Sequence, residues 1–249
     1  MIKLENFEVT GWEPAIRGMR NPMNSWDKSD SGYGCDIYGN RVYCRNCNVV
    51  DKGSCKEYRT LSIGPNDIEL LKKLANAGTD HRKFMRMIVV YTDITAPLYW
   101  WKEFDTYKVG TVANSCSTMH KIAEKEFTLA DFSCEHLISG SMVLINEIID
   151  DLNDCREWYL KYDSMREEDK IHFDQNITCK KDIWWQMIQL LPSSYNQKRT
   201  VMLNYEVLTN IYESRKNHKL DEWNEFCKWI ERLPYSEIIT GNDKEINND

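Results

Sequence analysis

The chain has 249 residues and a mass of 29.5 kDa, enough for one or two domains and for a core that needs no disulfide staples. Hydrophobic residues make up 42% and charged residues 29%, which excludes a disordered chain, a collagen-like repeat and a disulfide mini-protein. A net charge of −7 argues against sequence-independent binding to nucleic acid or to an anionic membrane, and no apolar run reaches the roughly 20 residues of a membrane span.

Residues 2–10 alternate (Ile2, Leu4, Phe7, Val9) and predict a strand; residues 12–20 predict a short helix stopped by Asn21-Pro22. Residues 23–60 are rich in Gly, Asp, Asn, Ser and Cys and read as a cysteine-rich insertion. Gly64-Pro65-Asn66-Asp67 opens a helix that Gly78 closes. Ile88-Val89-Val90-Tyr91 lies in a buried strand over 84–95, ended by Ala96-Pro97, and a helix is expected over 98–108. Gly110 to Ser117 reads as a small, polar loop. Helices are then expected over 135–163, 181–191, 199–216 and 220–232, with a charged connection at 164–177. The tally predicts one α+β domain over 1–240, mostly helical with a small central sheet, followed by a flexible polar tail at 241–249.

Nine cysteines are many, but the number is odd, and the N-terminus has no charged lead followed by an apolar run. Reduced thiols in a cytoplasmic protein are therefore expected. Cys35, Cys44, Cys47 and Cys55 lie within 21 residues, and Cys44-Arg-Asn-Cys47 has the spacing that lets two thiolates reach one tetrahedral zinc. Loop cysteines without a metal are the alternative. The other five cysteines read as core residues.

The stretch Leu98-Tyr-Trp-Trp-Lys-Glu-Phe-Asp-Thr-Tyr-Lys108 is dense in aromatics, and its exposed-looking rings, with those of 181–191, suit an interface between subunits. The Thr-Val-Ala-Asn-Ser-Cys-Ser-Thr run at 111–118 is poor in packing residues, as suits a backbone that approaches a flat ligand or a phosphate. An ordinary polar loop is the plainer alternative. Within it, Cys116 is a candidate nucleophile or an inert thiol.

The order of strand, Ala96-Pro97, aromatic helix and small polar loop resembles the flavin-dependent thymidylate synthases. That family's Arg-His-Arg signature falls on Thr106-Tyr107-Lys108, its first serine on Thr111, its glutamate on Asn114 and its second serine on Cys116. Its phosphate-binding arginine falls on Thr118. The C-terminal half is more similar: Leu191-Pro192 precedes Asn204, Asn210 and Arg215 at the family's spacing, two asparagines for the flavin and an arginine for the nucleotide. Ala15-Ile16-Arg17-Gly18-Met19-Arg20 resembles the family's N-terminal Ala-x-Arg-x-x-Arg region, with Pro22 at its flavin-contacting serine, and His81 falls on the histidine before its central strand.

The resemblance implies reductive methylation of a pyrimidine nucleotide, dUMP to dTMP or a related substrate, with FAD, NADPH and methylenetetrahydrofolate, in a homotetramer. It implies cofactor binding by His81, Thr106, Tyr107, Lys108, Asn204 and Asn210. For the substrate it implies Arg215, Asn114, Cys116, Ser117, Lys198 and Arg199; no catalytic residue is assigned. Each charge-assisted hydrogen bond lost with the replaced arginines is worth about 1.5–3 kcal/mol, so the flavin cleft is expected to survive better than the dUMP phosphate site. The alternatives are a protein of this fold with another substrate, and a non-catalytic descendant that binds a nucleotide or a protein.

Overall fold

The computed structural model describes residues 1–33, 61–166, 170 and 177–241. The four clustered cysteines, and with them the zinc expectation, lie outside the described residues, as does the tail from 242 onward. Among the described residues no helix is long and apolar enough to cross a membrane.

Strands β1 (Lys3–Thr10), β4 (Val89–Pro97), β5 (Thr111–Ser115) and β6 (Asn196–Asn204) form a four-stranded sheet in the order β1-β4-β6-β5. Two short strands, β2 (Gly32–Tyr33) and β3 (Leu61–Ser62), pair antiparallel with Gly32 opposite Ser62. The helices are α1 (Trp12–Arg20), α2 (Pro65–Asn76), α3 (Leu98–Phe104), α4 (Thr118–Lys121), α5 (Ser139–Lys161), α6 (Lys180–Leu190), α7 (Tyr205–Arg215), α8 (Asp221–Ile230) and α9 (Glu237–Thr240). The chain divides into two compact units.

One unit comprises Met1–Glu5, Asp93–Thr106 and Ala113–Thr200. Its core forms where α5 packs on α6. Ile145, Ile149 and Leu152 recur at i, i+4 and i+7 on one face of α5, and Ile183 and Met187 face them from α6. Trp100, Trp101 and Phe104 of α3 are also buried, with Trp100 stacked on Phe104 at 5.0 Å, so the aromatic helix fills a core instead of offering an interface. It is shorter than 98–108 because Asp105 and Thr106 close it: the Thr106 hydroxyl donates to the Glu103 carbonyl at 2.7 Å.

The other unit comprises Asn6–Thr92, Tyr107–Val112 and Val201–Asp249. Here α7 packs against the turn of 3₁₀ helix Arg82–Met87 and against α8 and α9. Buried Tyr205, Leu208 and Ile211 alternate around α7, and Trp223, Phe226 and Ile230 bury one face of α8. Gly11 precedes α1 at φ +89°, where a Cβ would lie 1.9 Å from the Met87 carbonyl oxygen; only glycine allows that approach.

Three expectations are corrected. Residues 199–216 are not one helix: 196–204 is a strand whose buried positions include Gln197, Val201 and Leu203, and the helix starts only at Tyr205. Thr200-Val201 is β-branched, and the alternation of burial wins over helical spacing. The small polar stretch is strand β5 rather than a loop. Of the five cysteines expected in cores, Cys155 and Cys227 are buried, with burial pushing each thiol up to about 11, while Cys116 and Cys179 are exposed.

Candidate functional site

In the second unit the site residues lie along α7, from its start at Asn204 to its end at Arg215. Asn204 sits in extended backbone before the helix, and its Oδ1 accepts the Val207 backbone N–H at 3.0 Å, capping the first turn. That bond fixes the amide: Oδ1 is spent on a donor, and among the described residues the Asn204 NH₂ has no hydrogen-bond partner. Gly110 lies against it at φ +79°, and a Cβ there would stand 2.6 Å from Asn204 Nδ2. The next residue, Thr111, carries a buried hydroxyl with no partner among the described residues.

Asn210 is exposed, six residues on. Its Oδ1 accepts Nη2 of Arg82 at 3.1 Å. A guanidinium only donates, so the oxygen is the atom that faces it. Asn210 therefore also presents its NH₂ outward. Arg82 is buried beside two carboxylates, Glu206 at 3.7 Å and Glu213 at 3.9 Å, and Arg86 closes on Glu206 from the other side with a second contact at 3.2 Å. Glu206 holds the Arg86 guanidinium above its ordinary pKa by that hydrogen bond and by its charge. His81, exposed, begins the same turn.

At the other end of α7, Arg215 Nε donates to the Tyr107 hydroxyl at 3.0 Å, and the guanidinium lies over the Trp223 ring at 4.8 Å and the Tyr107 ring at 5.8 Å. Cation–π contact and the hydrogen bond together hold a half-buried arginine at a defined orientation. Lys108, next to Tyr107, is exposed.

The remaining predicted residues lie in the first unit. Thr106 is spent on the end of α3. Asn114, Cys116 and Ser117 are exposed; the Cys116 backbone N–H donates to the Lys198 carbonyl at 3.1 Å, and Ser117 Oγ caps α4. Lys198 pairs with Asp93 at 3.1 Å and with Glu5 at 3.7 Å, and those partners raise its pKa. Arg199 pairs with Asp105 at 2.7 Å, donates to Gln197 Oε1 at 3.0 Å and stacks over Trp101 at 4.2 Å. Both cations are thus matched by carboxylates of their own unit. Sequence reasoning missed Arg82, Glu206, Gly110 and Trp223. One signal was present: Glu206, Asn210 and Glu213 fall at i, i+4 and i+7, one stripe of a helix.

No protein-family model and no curated protein matches the sequence. Solved structures do match. Thymidylate synthase X (ThyX) from Helicobacter pylori, crystallised with FAD and dUMP, superposes with a TM-score of 0.57 over 96% of this chain and 97% of that one, at 14% identity. A second structure of the flavin-dependent thymidylate synthase ThyX from the same organism, also complexed with FAD and dUMP, gives 0.56, 96%, 96% and 14%. The chain therefore shares the α+β fold of these enzymes. At that identity the likeness speaks for the fold alone, and function rests on the residues.

Proposed function

We propose that this chain is a divergent flavin-dependent thymidylate synthase-like enzyme that binds FAD and acts on a pyrimidine nucleotide. The observation that carries the reading is the matched pair of asparagines. Asn204 and Asn210 each turn Oδ1 to a protein donor, leaving two NH₂ groups that can meet only hydrogen-bond acceptors. A flavin ring edge and a phosphate are acceptor-rich, so two free amide donors fit the group, and Thr111, next to the Gly110 that lies against Asn204, carries a buried hydroxyl with no partner among the described residues.

Bound FAD supplies hydride transfer, with NADPH and methylenetetrahydrofolate as co-substrates on this reading. The chain's own part is binding and orientation. Asn204 and Asn210 donate to the cofactor, with His81, Tyr107 and Lys108 as further contacts. Arg215, held by Tyr107 and Trp223, meets the anionic substrate with a preset fork. On this reading the chain works as a homo-oligomer, a tetramer, in the cytoplasm.

One observation favours a second reading, the same fold with a substrate other than dUMP. Lys198 and Arg199 are spent on Asp93, Glu5 and Asp105, which leaves less positive charge for a phosphate dianion. The experiment is a visible-absorbance titration of the purified protein with FAD, followed by dUMP and other pyrimidine nucleotides. A flavin band that a nucleotide perturbs supports the proposal, and the nucleotide that perturbs it most decides between the two substrates. No flavin, bound or acquired, refutes both.

A further inference from the structure

We infer that Arg82 is a positioning residue that locks the side-chain amide of Asn210 with its NH₂ outward, so that this edge of the site takes only ligand groups that accept hydrogen bonds. The ligand class rests on the flavin reading above; the orientation does not.

The argument starts from helical spacing. Glu206, Asn210 and Glu213 form one stripe of α7, and the turn Arg82–Met87 packs on that helix. Arg82 and Arg86 stand four residues apart on the turn and meet the stripe. Arg82 reaches Glu206, Glu213 and Asn210, and Arg86 shares Glu206. Two positive and two negative charges close within the cluster. The side chains of Arg82 and Glu206 are each only 11% exposed, which makes their pairing obligatory: a buried ion deprived of its partner is strongly unfavourable.

An asparagine amide at a surface rotates its oxygen and nitrogen between equivalent places at little cost. Asn210 cannot. Reversal would bring its NH₂ against Nη2 of Arg82, donor against donor, beside a guanidinium that two carboxylates hold in place. Arg82 Nε is buried with Glu206 at 3.7 Å, beyond hydrogen-bonding distance, and Nη1 has Glu213 at 3.9 Å, while Nη2 makes its hydrogen bond to Asn210. Lysine in its place would keep the charge but lose the planar fork that serves the carboxylates and the amide at once. Asn204 reaches the same presentation by another route, as a helix cap.

The test uses asparagine-selective ¹⁵N labelling of the full chain. The Asn210 side-chain pair is identified by its disappearance in Asn210→Ala. We expect it at a dispersed position in the wild type and at the free-asparagine position in Arg82→Met; Arg82→Lys, which retains a charge for Glu206, should give the same shift if the methionine variant does not fold. In parallel, FAD affinity by fluorescence quenching should fall about tenfold in the Arg82 variant, but should not fall further when Arg82 is replaced in the Asn210→Ala background. An Asn210 pair that stays in place in a folded Arg82 variant overturns the proposal, as does an Arg82 effect on FAD that is undiminished without Asn210. If the wild type takes up no FAD, the flavin reading falls, and the amide signal alone decides whether Arg82 sets the orientation.

Discussion

At the scale of single residues, an asparagine and an aspartate differ in what they present after one oxygen has been spent. At Asn204 the spent oxygen caps α7. Asn204→Asp therefore keeps the cap and removes the donor, whereas Asn204→Ala removes both. Urea unfolding should show a loss of about 1 kcal/mol for alanine and little or none for aspartate, while FAD binding fails in both. The buried carboxylate of Asp67 presents the opposite case, with every contact turned inward: it accepts Arg20 Nε at 2.6 Å, the Ser31 and Ser29 hydroxyls at 2.6 and 2.7 Å, and the backbone N–H of Asp30 and Ser31. Burial pushes this carboxyl up, but the serines, Arg20 and its charge together bring it below its ordinary value. Because folding lowers this pKa, its contribution to stability is complete above about 3.9 and is lost as pH falls through the depressed folded value. Asp67→Ala leaves Arg20 buried and uncompensated, and a loss of roughly 3–5 kcal/mol is expected in urea titrations at neutral pH.

At the scale of elements, β1, α1 and α2 were legible because periodicity and Pro or Gly stops agreed; the strand expected over 84–95 begins only at Val89, because Arg82–Met87 forms a 3₁₀ turn. The misreading of 199–216 came from apolar residues, Val201, Leu203, Val207 and Leu208, that satisfy a helical stripe and a strand alternation about equally. The deciding feature, Asn204 as a cap, is a local hydrogen bond that periodicity does not register. Gly110 belongs to this scale, since its backbone lets the segment 107–112 close on the start of α7. Gly110→Ala places a Cβ in the left-handed region and against Asn204. A cost of about 1–3 kcal/mol in unfolding is expected, with a loss of FAD binding larger than the stability change explains. The start of α6 offers a pH test. Asp182 accepts the Thr178 hydroxyl and the Thr178 and Cys179 backbone N–H groups, which hold it down to about 2. Amide protection in the first turn of α6 should hold above about pH 4 and disappear as pH falls toward 2.

At the scale of the whole molecule, each unit builds its own core, and Leu152, fully buried where α5 meets α6, is the best single probe of the first. Leu152→Ala should cost roughly 2–5 kcal/mol, read as a lower urea midpoint with unchanged slope. The sequence carried the α+β fold class, and its resemblance to the flavin-dependent thymidylate synthases implied the six candidate residues that lie in the second unit. It did not carry Arg82 or the pairing of Glu206: a buried ion cluster joins segments 120 residues apart, and the helical stripe that includes Glu206 does not say which cation meets it. The cluster nonetheless leaves a trace of its own. Arg-x₃-Arg, then Glu-x₃-Asn-x₂-Glu more than a hundred positions later, is five letters whose identities are tied by charge closure and by one amide's polarity. Substitution at any one of them should be answered at another, so the five ought to be inherited as a block. Searching genomes for that block would gather chains that share this site even where overall identity has drifted below recognition.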